Sequence, residues 1–453
     1  MIKLLFFQCL CLLSFTVLTA QTWYVSGTGN DANDGKSPKT AFRNLQKAAD
    51  LVKPGDLVLI SNGIYTNDDR SNGSAVLSIK KSGKPDAWIT WKAVPGAKPD
   101  IRPIGWSGIE ISASYHILDG LTVTGGNDSI VLLHAQEDAK KTKPSPGYNT
   151  NGIFVNGRNN SVDDKPHHTI IRNCIVSKCP GAGIAIIETD YFTVEDCKVF
   201  DNAWFMRYGG SGISTLNNWA HDDAPGYHVI IQRNYVWNNK TLVNWNVIGK
   251  LSDGNGIILD VTDQARNGAT NPNADAVIKA DTTKPPMLAS KPVRPVWKGR
   301  ALIANNISAF NGGSGIHTFR TKHVDIINNT TYHNGGIVGY QELFANNSED
   351  IVILNNIIVP RPGGKVTSNN KNTNIRWDYN IYPIQQSVMK GPNDIIASPI
   401  FVDVQSDITK GDFRLGKGSL ALGSGTNELA QPTDIKGKMR PKTNGRDRGA
   451  FEQ

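Results

Sequence analysis

The chain has 453 residues, with 48 Lys and Arg against 40 Asp and Glu, a formal net charge of +8. The basic residues form no dense runs, which argues against nucleic-acid binding, while the excess of positive charge suits an acidic glycan or another polyanionic partner. Of the five cysteines, Cys9 and Cys11 lie in an apolar leader, leaving Cys174, Cys179 and Cys197, and no Cys/His spacing reads as a zinc site.

Residues 1–20 have the pattern of a secretory signal: Lys3, an apolar run over 4–17, and Thr19-Ala20 before Gln21. The run is too short for a membrane span, and no later run is long enough to be one. The expectation is an exported, monomeric protein, periplasmic or extracellular. Thr22 to Ser26 reads as a strand, residues 27–38 as a Gly/Asn/Asp loop, and residues 41–52 as an amphipathic helix with Leu45, Ala48, Ala49 and Leu51 on one face. Pro54-Gly55-Asp56 stops the helix, and a strand follows at Leu57 to Ile60.

From residue 88 onward short apolar runs recur. Asn305-Asn306, Asn328-Asn329 and Asn355-Asn356 each follow an alternating run, at steps of 23 and 27 residues. Asn173, Asp196 and Asn234 extend this column backward. A second bend column lies five residues further on at Asp201, Asn239, Asn311 and Asn334, and a third is Gly-Ile at 152, 183, 212, 256 and 315. A repeat of this period is one turn of a coiled sheet, because a single turn cannot bury its own apolar side chains and stacked turns can. Asn serves both as a bend residue and as a side chain that can hydrogen-bond to its copy in the next turn. Cys174 and Cys197 are 23 residues apart. They read as a stacked core pair, with a disulfide left open.

These repeats resemble the right-handed parallel β-helix of the pectate-lyase-like superfamily. The opening Tyr24-Val25-Ser26, Gly35-Lys36-Ser37-Pro38, Ala41 to Ala48, Pro54-Gly55-Asp56 and Gly63-Ile64-Tyr65 resembles the N-terminal cap of secreted members. The expected fold is all-β, a single-stranded right-handed parallel β-helix over residues 21–453. It has a cap at 21–75 with a capping helix, turns over 85–382, and a closing segment at 383–453.

The stretches 158–166, 219–226 and about 262–300 are inserts after Gly-Ile strands, and such inserts wall a groove. Aligned on Gly-Ile, the strands place Glu188, Asn217, Asp260 and Arg320 at about the same position. A stack of acid, amide, acid and base on one face has no use in a core. It suits β-elimination from a uronate polymer, where a cation neutralises the carboxylate and a base removes the C5 proton. It also suits hydrolysis by two flanking carboxylates.

The run from Lys250 to Asp260 loosely resembles the calcium-binding turn of family 9 polysaccharide lyases. That resemblance implies Ca2+ on Asp253 and Asp260, with Asp263 as a further candidate, and a base at Arg320 or Lys322 with His317 nearby. Asn255 interrupts the adjacent acids usual in that family. His221, Asp222 and Trp219 sit on an inserted loop, where they read either as turn residues or as groove-wall groups that bind substrate together with Glu188 and Asn217. Trp204, Trp219, Trp237 and Trp245 are candidate sugar platforms. The leading expectation is a secreted lyase acting on an acidic glycan. A glycoside hydrolase of the same architecture and a non-catalytic glycan-binding solenoid are the competing ones.

Overall fold

A computed structural model describes residues 20–67, 75–262, 294–443 and 445–453. The signal segment up to residue 19 and Asp263 lie outside the described residues. Three long parallel sheets run the length of the coil, with 11, 9 and 11 strands. The first sheet starts at Thr22–Val25 and ends at Thr373–Asp378, the second runs from Ala75–Ile79 to Asn369–Asn370, and the third from Gly63–Thr66 to Ile395–Ile396. Register across the second sheet places Ile109, Ile153, Ile184, Ile213, Ile257, Ile316 and Leu343 in one inward column. All of them are fully buried. Like residue above like residue closes the core that one turn could not close alone.

The two residues of each Asn pair do different work. The first takes the left-handed backbone conformation, with φ of 54° at Asn305, 56° at Asn328 and 59° at Asn355, and turns the corner between sheets. The second points inward. The backbone N–H and side-chain amide of Asn234 both donate to Asn306 Oδ1 at 3.0 Å, and the same pattern continues from Asn306 to Asn329, Asn356 and Asn380. The second amide hydrogen of each goes to a carbonyl of the preceding turn, as from Asn329 Nδ2 to Ile303 O at 2.8 Å, so the buried amides are satisfied. The ladder ends where Asn380 N donates to Asp394 Oδ1 at 2.8 Å. A parallel ladder runs Asn202, Asn239, Asn311 and Asn334 and ends on Glu342. In both, aligned N–H dipoles point toward the C-terminal end and an acid side chain accepts the last of them.

This corrects the columns expected from spacing. Asn173, Asp196 and Asp201 are left-handed corner residues, and the ladder positions beside them belong to Cys174, Cys197 and Asn202. Cys197 N donates to Asn234 Oδ1 and Cys179 N to Asn202 Oδ1, each at 3.0 Å, so small buried thiols fill the N-terminal ends of the ladders. All three cysteines are free and buried.

The helix is also shorter than expected. It spans Leu45–Ala49, and Leu51 is 37% exposed instead of lying on the buried face. Phe42 is already committed to a bridge with Val25, and Asp31 Oδ1 accepts from the amides of Arg43 and Asn44 at 2.8 and 2.9 Å, which sets the helix start later in the chain. Leu45, Ala48 and Ala49 are buried in the main core, beside Val25, Val58 and Ile60.

The C-terminal segment lies along the outer face of the third sheet. Ile408, Phe413, Ile435, Ala450 and Phe451 pack on Trp237, Ile307 and Ala309. The left-handed Asn residues anchor it: Asn305 Nδ2 donates to Thr433 O, Asn328 Nδ2 to Asp447 O and Asn355 Nδ2 to Thr426 O. The tail therefore covers Trp237, which removes it as a sugar platform.

Candidate functional site on the outer face of the second sheet

Strand Ile257–Asp260 pairs with Ile213–Leu216 on one side and Ile316–Phe319 on the other. Ile257 and Leu259 face the core, so the strand's alternation sends Ile258 and Asp260 outward, in register with His317 and Phe319. Arg320 follows Phe319 at the corner with φ of 54°, and its guanidinium lies 4.2 Å over the Phe319 ring. Asp253 enters from the loop before the strand, left-handed at φ 65°. Its carboxyl lies against Gly209, where a Cβ would come within 2.5 Å of Oδ2 and where the backbone is left-handed at φ 70°, so a side chain there would be strained and would push the carboxyl aside. The intervening Asn255 is fully buried and brackets the next turn, accepting from Ser314 N and Oγ at 2.9 and 2.8 Å.

The electrostatics of this face are under tension. Burial, and next the charge of Asp253, push Asp260 up to about 7, while Arg320 and Arg294 pull the other way. Burial pushes Asp253 up to about 6 against a hydrogen bond from Ser252. Burial lowers Arg320, and Asp260 partly restores it. Asp260 Oδ1 is buried with no hydrogen-bond partner among the described residues. His317 is 7% exposed, stacks on Phe344 at 4.0 Å, and has neither ring nitrogen partnered there; burial pushes it down to about 3. At neutral pH it is therefore an uncharged imidazole.

Sequence reading alone did not find Tyr340 or Arg294. Tyr340 Oη lies 3.2 Å from Ser252 Oγ, and burial raises its pKa with help from both carboxylates. Buried Arg294 donates to Asn218 O and Val261 O at 2.7 and 2.9 Å. Each comes from a loop whose reach no spacing encodes.

The other expected site residues are dispersed. The column of Glu188, Asn217 and Arg320 passes through Val261, because Asp260 pairs with Leu216 and Phe319, one residue earlier. Glu188 is tied to Lys165 at 2.6 Å, and Lys165 also lies 4.4 Å over the buried Trp219, so that corner is already occupied by its own partners. Lys322 opens a strand of the first sheet, around the corner, with Nζ 3.5 Å from Glu349. His221 and Asp222 also belong to the first-sheet side, with Asp222 Oδ1 accepting from Tyr191 Oη at 2.6 Å. Of the inserts expected after second-sheet strands, residues 263–293 lie outside the described residues; residues 126–150, 203–211 and 240–255 form inserts before them, between third-sheet and second-sheet strands. A concavity of about 800 Å³ lies elsewhere, between the third sheet and the tail. Its lining combines the Arg414–Asp412 pair and Glu452, which holds Arg440, with Lys198, Lys417, Lys436 and Lys438.

A family model described as the Pel9A-like right-handed β-helix region matches residues 23–349. The chain belongs to this Pel9A-like β-helix family. Among solved structures it is similar to pectate lyase Pel9A, at 17% identity and a TM-score of 0.54, covering 96% of this chain and 97% of that one. A rhamnogalacturonan lyase follows at 15% identity and 0.45, covering 90% and 97%. A lacto-N-biosidase of family GH136 from Eubacterium ramulus matches at 14% and 0.43, covering 82% and 61%. No curated protein sequence matches the chain. The family fixes the parallel β-helix; a fold does not by itself choose a reaction, so the chemistry has to be argued from the site.

Proposed function

We propose that this Pel9A-like chain is an exported lyase that cleaves a uronate-containing glycan by β-elimination on the outer face of the second sheet. The observation that carries the reading is a pair of half-buried, mutually repelling carboxyls, Asp253 and Asp260, with a burial-depressed Arg320 on the next turn.

Asp253 and Asp260 fit a Ca2+ site. Their hard oxygen donors suit the ion, and the orphaned Oδ1 of Asp260 is a ligand atom without a partner among the described residues. When bound, the ion supplies the charge that acidifies the C5 proton of a uronate and removes Asp260 as the counter-charge of Arg320. Arg320 takes the C5 proton as a neutral guanidine, having first lost its own proton to solvent, a loss that burial favours. The C5 electron pair then forms the C4–C5 double bond as the C4–O bond breaks. The Tyr340 hydroxyl, kept neutral by burial, gives its proton to the departing oxygen. His317, uncharged and with both ring nitrogens buried, does not serve as the base. The net positive charge of the chain favours approach of an acidic polymer.

Purified protein with Ca2+ on pectate, alginate and glycosaminoglycan substrates should raise ultraviolet absorbance from unsaturated uronates. No rise on any of them sinks the reading. A second reading has one observation in its favour: two carboxyls raised to about 6 and about 7 also suit the acid and base of a glycosidase. Product masses decide, because a hydrolysis product carries an added water and an elimination product does not.

A further inference from the structure

We propose a transition-metal site, separate from the second-sheet face, held by His167, His168 and His221 at the corner between the second and first sheets. The backbone explains how two consecutive residues come to face each other. Adjacent residues of a strand normally point to opposite faces. His168 is left-handed, with φ of 55°, and this breaks the alternation at the start of strand His167–Arg172. The two imidazoles consequently meet, with Nδ1 of His167 and Nδ1 of His168 2.7 Å apart. Two ring nitrogens this close share one hydrogen, and a cation can take its place.

The third imidazole arrives from the loop after strand Ile213–Leu216. The ring of His221 stacks on that of His167 with centroids 3.7 Å apart, and one ligand atom from each of the three histidines lies within 4.8 Å of the others. A tetrahedral ion with Zn–N bonds of about 2.0–2.1 Å holds its ligands roughly 3.4 Å apart. Closing that gap is left to His221, the exposed member of the three.

The surroundings hold the donors in place. His221 N donates to Asp190 Oδ2 at 2.8 Å, and Asp190, fully buried, is itself fixed by Trp297 Nε1 at 2.8 Å and His228 Nδ1 at 3.0 Å. Tyr115 and Tyr191 sandwich the His168 ring at 4.9 and 4.5 Å. These contacts fix the backbone of His221 and the plane of the His168 ring. Three nitrogen donors suit zinc, copper or nickel and do not suit calcium, which takes oxygen. The ligands come from two separate segments, which is why no local Cys/His spacing announces them. Bound there, a Zn2+ ion would pin the 218–226 loop, part of the groove wall, to the first sheet.

Tag-free protein, stripped with chelator, should bind one Zn2+ per chain in isothermal titration, and its unfolding midpoint should rise with Zn2+. His221→Ala changes an exposed loop residue and leaves the fold intact by circular dichroism; it should weaken Zn2+ binding at least tenfold and abolish the midpoint rise. His168→Asn should do the same, and Ca2+ should not compete. Absence of saturable Zn2+ binding, or unchanged affinity in either variant, overturns the site. Lyase activity plays no part in these readouts, so the test stands whatever reaction the second-sheet face performs.

Discussion

The outer faces of the second and third sheets are made by strands of the same coil, yet they treat buried charge in opposite ways. On the third-sheet side, beneath the tail, buried Arg440 meets an opposite charge: Nη1 donates to Glu452 Oε2 at 2.8 Å, and Nη2 donates to Asn305 Oδ1 and Gly449 O, each at 2.8 Å, with Nε alone lacking a partner among the described residues. On the second-sheet face, Asp253 and Asp260 repel each other, and Asp260 Oδ1 and both His317 ring nitrogens have no hydrogen-bond partner among the described residues. Opposite charges paired in a buried site make structure; like charges held together leave groups poised for a ligand. A solenoid interior is much the same from turn to turn, so this contrast between its outer faces is where function can be located.

The sharpest way to break the contrast is at Arg320. If the open face is the reaction centre, Arg320→Ala should cut turnover of the cleaved uronate polymer by about 10³-fold or more, roughly 4 kcal/mol in the barrier, with the unfolding midpoint little changed. Initial rates at saturating substrate measure this. At the sealed face the effects should exchange places. Arg440→Ala leaves Glu452 buried without its cation and should cost about 3–5 kcal/mol of stability in chemical denaturation, while turnover per folded molecule holds. A fall in turnover there would mean that the two faces are coupled.

The ladder offers an intermediate case, buried and polar but uncharged. Asn329→Ala removes the acceptor of two Asn306 donors and a donor to Ile303 O, which should cost about 2–3 kcal/mol by the same denaturation. Asn328→Ala, one residue away, loses only bonds to the tail carbonyls of Asp447 and Gly449 and should cost less.

That pair of neighbours also shows how far the sequence could be read. The repeat of Asn-Asn fixed the winding and its period, because only stacked turns give a residue type a reason to recur every 23 positions. It could not tell the corner residue from the ladder residue, since Asn suits both roles. The distinction is visible only where the pair is mixed, as in Arg233-Asn234 and Tyr379-Asn380, where the second member carries the ladder. At the site, counting from Gly-Ile brought Asp260 and Arg320 to one region but placed Asp260 one residue out of its column, and Lys322 fell around a corner set by left-handed residues that no composition rule marks. Tyr340, Arg294 and His221 depend on how far loops fold back, which is a property of three-dimensional packing.

The smallest expected effect tests the tension itself. Asp260 sits near 7 in the folded chain against an ordinary value of 3.8, so its ionisation opposes folding. For an acid raised in this way, the penalty is absent below about 4, grows as pH rises toward 7, and is complete above it. In chelator-treated protein Asp260→Asn should therefore flatten the decline in stability between pH 4 and 7. It should leave the variant on the order of 1–2 kcal/mol better placed, relative to wild type, at pH 8 than at pH 4, the partial exposure of the residue holding the value well below that of a sealed carboxylate. An amide's own packing error is the same at every pH, so only the slope reports on the charge. Adding Ca2+ should remove the slope from the wild type and leave the variant unmoved. If the slopes of the two proteins match in chelator, Asp260 is not held against its will, and the argument for a poised open face fails with it.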